Sequence, residues 1–307
     1  MKDFKVKFRG VRGSFPVADK KFLQYGGNTS CVEINAGGHV IILDAGTGIV
    51  KAGDELMEKY ISSALEVKDR TPVCASVLLS HIHQDHILGL TFFKPMHLKS
   101  SKISIFGDGN DSDILKDNLE NLVFGKTFPL DLNDIQCELD IHNLDEDYAI
   151  LLKSGSKAQL VKKDELKPQE NDVVVSFYKS YVHPQNGVII YKITYQGKSV
   201  VYATDKESYF GGDKKFVQFA KNCNLLIHDA QYTSEDYLNS HSPKQGFGHS
   251  TYDMALEAMR QTGAKNLVFF HYEPSYDDSK LDKIKELYTS QNKNVFMAYE
   301  GLELNIE

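Results

Sequence analysis

The sequence lacks the features of a membrane-spanning, secreted or disulfide-stabilised protein. No apolar run reaches the roughly 20 residues that a transmembrane helix requires. Residues 1–7 are polar and lead into no apolar segment of the kind found in secretory leaders. The four cysteines, at positions 31, 74, 137 and 223, are widely spaced and form no CxxC pair, which predicts reduced structural thiols. We therefore expect a cytoplasmic protein without a membrane partner.

An excess of basic residues is also missing. The 35 Lys and Arg against 42 Asp and Glu give a net charge of −7. Proteins that hold long nucleic acids by their phosphates are usually basic, so the charge disfavours large RNA or DNA as the main partner. A small anionic ligand remains compatible, because bound metal ions supply their own positive charge. No repeat or linker divides the 307 residues, and we expect one domain over residues 1–307.

A cluster of metal-ligating residue types follows a short apolar run at residues 77–79, which is typical of a buried strand. Successive side chains of an extended chain alternate faces, so His81 and His83 point the same way. A turn after them would bring Asp85 and His86 towards the same point. Imidazole nitrogens and carboxylate oxygens suit zinc, manganese or iron. The alternative is a surface histidine cluster, but this concentration of ligands at the mouth of a strand favours a metal site.

This motif resembles the signature of the metallo-β-lactamase-fold hydrolases, and the resemblance covers most of the chain. Gly13-Ser14, the loop 26–31 and the Asp-x-Gly-x-Gly segment 44–48 resemble one phosphodiesterase branch, ribonuclease Z-like and class II cyclic nucleotide phosphodiesterase-like. The resemblance implies an α/β fold, a four-layer αββα sandwich of two mixed β-sheets flanked by helices. We interpret the polar segment at about 108–172 as an elaboration at the rim of the active site, with a plain solvated insertion as the alternative.

The resemblance also implies a centre with two divalent metal ions. The residues that match the family's ligands are, for the first ion, His81, His83 and His183, for the second ion, Asp85, His86 and His271, and, as the bridge between them, Asp205. We expect zinc, with manganese and iron as alternatives.

A histidine and an aspartate complete the predicted catalytic set together with Asp85. His249 precedes a predicted helix, and Asp229 ends a buried strand. The pair resembles the Glu/His pair of ribonuclease Z-like phosphodiesterases, with Asp229 replacing the glutamate. We predict that His249 assists the leaving group and that Asp229 keeps it protonated; a cap or turn role for His249 is the alternative. The resemblance gives Asp44 a supporting role, in which it orients a ligand histidine.

Two residues of the glycine-rich loop are candidate substrate contacts. Asn28 and Thr29 are able to bond a phosphate or a base, and hydrogen bonds within the loop are an equally good interpretation. A homodimer is compatible with the resemblance alone.

The function that we predict is metal-dependent hydrolysis of a small phosphodiester, a cyclic nucleotide first. A hydroxide that bridges the metals would attack phosphorus, and His249 would assist departure of the alkoxide. One alternative is an endonuclease for RNA or tRNA 3′ processing. Others are a lactonase, thioesterase or β-lactamase on the same fold, which would not need His249. A metal- or nucleotide-binding sensor without activity is the non-enzymatic alternative.

Overall fold

The computed structural model describes residues 4–109, 114–125, 128–209, 211–290 and 292–307. Two mixed β-sheets form its centre. The strands of the first sheet, in spatial order, are β15 (Glu303–Asn305), β1 (Phe4–Gly10), β2 (Cys31–Ala36), β3 (His39–Leu43), β4 (Cys74–Leu78), β5 (Lys102–Gly107) and β6 (Glu138–Asn143). The strands of the second sheet are β14 (Val295–Met297), β13 (Asn266–Phe270), β12 (Leu225–Asp229), β11 (Lys198–Ala203), β10 (Val188–Tyr195), β9 (Val173–Ser180), β7 (Tyr148–Leu152) and β8 (Gln159–Lys162).

Helices lie against the outer faces of both sheets. The described helices are α1 (Ile49–Ser62), α2 (Gln84–Ile87), α3 (Leu115–Leu122), α4 (Lys214–Phe219), α5 (Ser234–Tyr237), α6 (Tyr252–Thr262) and α7 (Asp278–Thr289). Alternation along β3 separates the layers: Ile41 packs into the core between the sheets, whereas Ile42 packs with Leu56 of α1. The predicted αββα sandwich is therefore confirmed.

Each sheet joins a parallel part to an antiparallel part, and this arrangement places the site. Strands β3 to β6 are parallel, as are β11 to β14. In parallel strands the carboxyl ends meet at one edge of the sheet, where ligands usually bind. The chain after β4 carries the His-x-His-x-Asp-His motif, and the chain after β11 and β13 carries Asp205 and His271.

The segment 108–172 contributes to both sheets. Strand β6 pairs with β5 in the first sheet, and β7 pairs with β9 and β8 in the second. Its strands therefore belong to the two sheets of the sandwich, and an elaboration at the rim of the active site stays a prediction. Residues 110–113 and 126–127 of this segment lie outside the described residues, and the single-domain organisation stays a prediction.

Two further findings concern the expectations from composition. All four cysteines are free thiols, and Cys31, Cys137 and Cys223 are buried. Across the described ranges, no helix has both the length and the apolar character needed to span a membrane.

Candidate metal centre

The structure brings the seven predicted ligands together at the carboxyl edge of the sheets. Candidate ligand atoms of His81, His83 and His183 lie within 4.8 Å of one another. A second group within the same limit is formed by Asp85, His86, Asp205 and His271. These are the two sets that the sequence assigned to two ions, with Asp205 as the link.

Asp205 faces both groups with different oxygens. Its Oδ1 lies 3.2 Å from Nε2 of both His86 and His271. Its Oδ2 lies 3.6 Å from His81 Nε2 and 3.7 Å from His183 Nε2. Two zinc–ligand bonds of about 2.1 Å at a tetrahedral angle place their donor atoms about 3.4 Å apart. The spacing therefore suits one cation on each side of this carboxylate.

The remaining ligand distances agree with the same arrangement. His83 Nδ1 and His183 Nε2 are 3.1 Å apart on the first side. On the second side, Asp85 Oδ2 lies 3.2 Å from Nε2 of both His86 and His271. Each donor atom therefore has neighbours at the separation that a shared ion of this size would impose.

Two ring nitrogens provide an independent test of whether a metal fits. Nε2 of His81 and Nε2 of His86 are buried, and neither has a hydrogen-bond partner in the described chain. A buried polar atom without a partner costs about 1–3 kcal/mol. A cation that accepts the lone pairs of these nitrogens removes that cost, so the donor set fits divalent metal ions.

The protonation states also suit metal binding. Burial, more than any other influence, lowers the pKa values of His81 and His83, which favours the neutral imidazole that binds metals. Burial would raise the pKa of Asp205, but the neighbouring His271 and His86 outweigh it and hold the pKa well below the usual range. His86 differs from the first two rings: burial would lower its pKa, but the neighbouring Asp205, Asp85 and Asp44 outweigh burial and raise the pKa well above the usual range. Metal binding at His86 would therefore displace a proton, whereas His81 and His83 are already neutral.

Asp44 orients His86 from behind. Its Oδ2 accepts hydrogen bonds from His86 Nδ1 at 2.8 Å, Ser80 Oγ at 2.8 Å and Tyr202 Oη at 2.7 Å. Because the carboxylate can only accept, Nδ1 of His86 carries a proton, and Nε2 is the nitrogen that would bind a metal. This geometry is the one that the supporting role predicted for Asp44 requires.

Gln231 holds His271 in a comparable way, and the sequence analysis missed it. The Nδ1–H of His271 donates to Gln231 Oε1 at 3.1 Å. The Gln231 amide then donates to Ser14 Oγ and to Glu273 Oε2, each at 3.2 Å. Oε1 is thereby fixed as the acceptor, so Nε2 of His271 is left to face the centre.

The backbone around the centre is held in uncommon conformations. Asp44, Asp205 and His271 have φ values of +60°, +51° and +67°, in a region that non-glycine residues rarely adopt. Such conformations persist where surrounding contacts impose them, and they cluster at functional sites. Gly248 adds a steric requirement, because a Cβ there would lie 2.2 Å from His183 Nδ1.

The predicted His249–Asp229 pair is formed beside the ligands. His249 Nδ1 lies 2.8 Å from Asp229 Oδ2, and the Ser250 N–H donates to Asp229 Oδ1 at 2.8 Å. Burial alone would lower the pKa of His249, but Asp229 outweighs it and raises the pKa to about 9. Two neighbouring cations would lower this value, because like charges disfavour the imidazolium. The N-cap of α6 is Thr251, so His249 does not cap that helix.

Asn28 and Thr29 make hydrogen bonds to other residues of the protein, which agrees with the structural interpretation of these two residues. Asn28 Nδ2 donates to Glu300 Oε2 at 3.0 Å. Thr29 is fully buried, and its Oγ1 accepts from the Thr47 N–H at 2.9 Å. Both side chains therefore shape the loop, and substrate binding by them stays a prediction that no described contact supports.

Taken together, the αββα sandwich and its paired ligand groups define a metal-dependent hydrolase. The family model described as a beta-lactamase superfamily domain matches residues 39–272. The chain belongs to this superfamily.

The chain is similar to three further proteins. A ribonuclease Z of Pyrococcus horikoshii is 24% identical over 88% of this chain and 87% of its own length. The structure of a diphosphatase from the PhnP family has a TM-score of 0.64 at 14% identity and covers 99% of this chain and 98% of its own. The short form of human tRNase Z has a TM-score of 0.58 at 19% identity and covers 99% of both chains.

Proposed function

We propose that this protein is a phosphodiesterase with two divalent metal ions that hydrolyses a phosphodiester bond in RNA. The main support is the position of Asp205, whose two oxygens face two separate groups of metal-ligating side chains. Relatives named ribonuclease Z, at 24% identity over 88% of the chain, support RNA as the substrate. They also weigh against our expectation from charge that large nucleic acids are disfavoured as partners.

The ligand residues fit two ions, with zinc as the first expectation. When bound, a pair of divalent ions lowers the pKa of a water and neutralises charge that develops on phosphoryl oxygens. Asp205 would set the separation of the ions because one carboxylate joins both groups. Asp44 and Gln231 would hold the ligand rings of His86 and His271 in orientation.

His249 is the candidate for assisting the leaving group. Its ring packs parallel to His271, with the centroids 5.0 Å apart, so it borders the centre. Asp229 holds Nδ1 and favours the protonated ring. A protonated imidazole beside a departing alkoxide can donate a proton, a contribution worth typically about 10²–10⁴-fold in rate.

A small phosphodiester, such as a cyclic nucleotide, is the second candidate substrate. The net charge of −7 favours it over a long polyanion. The similarity to the diphosphatase shows a shared fold only. A lactonase, thioesterase or β-lactamase on the same fold stays an alternative, and the relatives named ribonuclease Z favour phosphodiesters over these substrates.

The test is a comparison of substrates on metal-loaded protein. We expect cleavage of an RNA with a 3′ extension, and faster turnover of 2′,3′- or 3′,5′-cyclic nucleotides would favour the second candidate. His249→Gln should slow hydrolysis at an alkoxide leaving group by about 10²-fold or more and spare bis(p-nitrophenyl) phosphate, whose leaving group needs no proton. Full lactone, thioester or lactam hydrolysis by the variant, without phosphodiester cleavage, would overturn the proposal. A homodimer stays a prediction.

A further inference from the structure

Two exposed aromatic residues lie close along the chain to histidines of the metal centre. Phe247 and Tyr181 are 50% and 76% exposed, and they lie two residues before His249 and His183, respectively. Because consecutive Cα atoms are 3.8 Å apart, each ring is attached within about 7 Å of the Cα of its neighbouring histidine. The centroids of His183 and His249 are 5.1 Å apart, so both rings originate from the same part of the site.

The backbone on both sides of Phe247 is held by the buried carboxylate of Glu207. Glu207 is 4% exposed, and its carboxylate accepts hydrogen bonds from the N–H groups of Gly246 and Gly248 at 2.9 Å. Tyr237 donates to the same carboxylate. Gly246 and Gly248 have φ values of +82° and +88°, which glycine adopts without strain. The tight turn therefore fixes its backbone on both sides of a side chain that points to solvent.

A lysine accompanies each ring. Lys244 Nζ lies 5.4 Å from the centroid of Phe247, and Lys179 Nζ lies 5.4 Å from that of Tyr181. Lys244 Nζ also lies 6.0 Å from the ring of Tyr232, which meets His249 edge to face. Lys179 forms an ion pair with Asp108, so Lys244 is the cation better able to meet a phosphate.

A ring with an adjacent ammonium matches the chemistry of a nucleotide. Exposed aromatic rings stack on unpaired bases, and a nearby cation meets the phosphate. Exposed apolar side chains are common on protein surfaces, and Phe247 differs from the others in its place beside His249 on a backbone that Glu207 holds. Unpaired bases need only a few such contacts, which is compatible with an acidic protein.

We propose that Phe247 and Tyr181 form a base-stacking platform that binds unpaired nucleobases flanking the scissile phosphate. The proposal rests on phosphodiester hydrolysis at this site, because it names the part of the substrate that the rings recognise. Phe247 is the principal element, since its backbone is clamped and its lysine has no acidic partner among the described contacts.

The experiment is equilibrium binding of AMP and of ribose 5-phosphate to the full, metal-loaded chain, which requires no turnover. The variants are Phe247→Ala, Phe247→Tyr and, as a control, Leu65→Ala. Leu65 is 96% exposed and follows α1 at the end away from the centre. Stacking predicts that the wild type prefers AMP by about 5-fold to 100-fold. Phe247→Ala should remove most of that preference, and Phe247→Tyr and Leu65→Ala should keep it.

A second measurement separates this proposal from the proposed function. Cleavage of an RNA is compared with cleavage of the same RNA carrying abasic sites on both sides of the scissile bond. Removing the bases and removing the Phe247 ring should each raise KM by a similar factor. The two changes together should raise KM no more than either one alone, as expected for interacting partners. Independent effects, or equal affinity of the wild type for AMP and ribose 5-phosphate, would overturn the platform. Absence of any cleavage with the AMP preference intact would overturn the proposed function alone.

Discussion

Two clusters of charged and titratable residues differ in whether their polar atoms have hydrogen-bond partners. In the Arg9 cluster (Arg9, Glu33, Glu55 and Lys7), every guanidinium nitrogen of Arg9 donates to a carboxylate. Arg9 and Glu33 are each 2% exposed. In the metal centre, by contrast, carboxylates and imidazoles face one another at 3.2–3.7 Å, and buried Nε2 atoms of His81 and His86 have no hydrogen-bond partner.

The difference separates a structural cluster from a site. The charges of the Arg9 cluster satisfy one another, so the cluster needs no ligand, and removing one partner would leave a buried charge unpaired. The metal centre leaves the buried Nε2 atoms of His81 and His86 without a hydrogen-bond partner, a cost that a bound cation would remove. Burial and charge alone would rank the two clusters alike, and hydrogen-bond satisfaction distinguishes them.

The largest effect should come from the bridge of the metal centre. Asp205→Asn removes the charge that both groups share, and we expect phosphodiesterase activity to fall about a thousandfold or more. Added metal should raise the urea midpoint of the wild type more than that of the variant. The readouts are steady-state hydrolysis and urea unfolding with and without a chelator. If the variant retained activity, the metal centre would be a structural cluster like the Arg9 cluster and not a catalytic site.

The corresponding substitution in the Arg9 cluster should change stability and not activity. Arg9→Met leaves Glu33 buried with its main partner gone, which should lower the free energy of unfolding by about 3–5 kcal/mol. Metal content and kcat of the folded fraction should be unchanged. Urea unfolding followed by circular dichroism gives the first quantity, and elemental analysis gives the metal content. Loss of metal together with stability would show that the two regions are not independent.

A smaller effect is expected at the support of His271. Gln231→Ala removes the acceptor of the Nδ1–H, and we expect metal affinity to fall by about 10–100-fold. Gln218→Ala, at an exposed position of α4, is the matched control and should bind metal like the wild type. Competition with a fluorescent chelator measures both. Equal affinities for the two variants would remove Gln231 from the account.

The smallest effect is a pH dependence in the Arg9 cluster. The hydrogen bond from Arg9 is the main cause that lowers the pKa of Glu55 to about 2, from an ordinary value of about 4.5. The carboxylate therefore stabilises the fold above pH 4.5, and this contribution disappears as the pH falls towards 2. Glu55→Gln should cost at most about 1 kcal/mol at pH 7, with the difference from wild type vanishing in acid. A stability difference between Glu55→Gln and the wild type that grew in acid would contradict the lowered pKa of Glu55.

The sequence predicted most of the centre and one of its supports, Asp44, but not the other support, Gln231. The His-x-His-x-Asp-His motif is local, so strand alternation and ligand chemistry indicated it directly. His183, Asp205 and His271 lie far away along the chain and were assigned through the resemblance, because spacing alone does not bring them together. Gln231 was missed, since its role depends on the approach of β12 and β13, and an amide has no chemistry of its own to mark it.

The fold shows the same division between local and distant information. Local apolar patterns and the glycine turn at residues 37–38 are enough to indicate the hairpin of β2 and β3 and the buried strands β12 and β13. Strand β6 was not predicted, because its residues are mostly polar and half-exposed, and its pairing with β5 decides its conformation. The three-residue β15, which pairs with β1, is too short to show any alternation.

The account's central claim is that the unsatisfied centre, and not the Arg9 cluster, holds ions. The most direct measurement is X-ray diffraction with anomalous scattering at a metal absorption edge, on protein reconstituted with zinc. The account predicts two peaks per chain, about 3.5–4 Å apart, one on each side of the Asp205 carboxylate. A single peak, or none at saturating zinc, would contradict it.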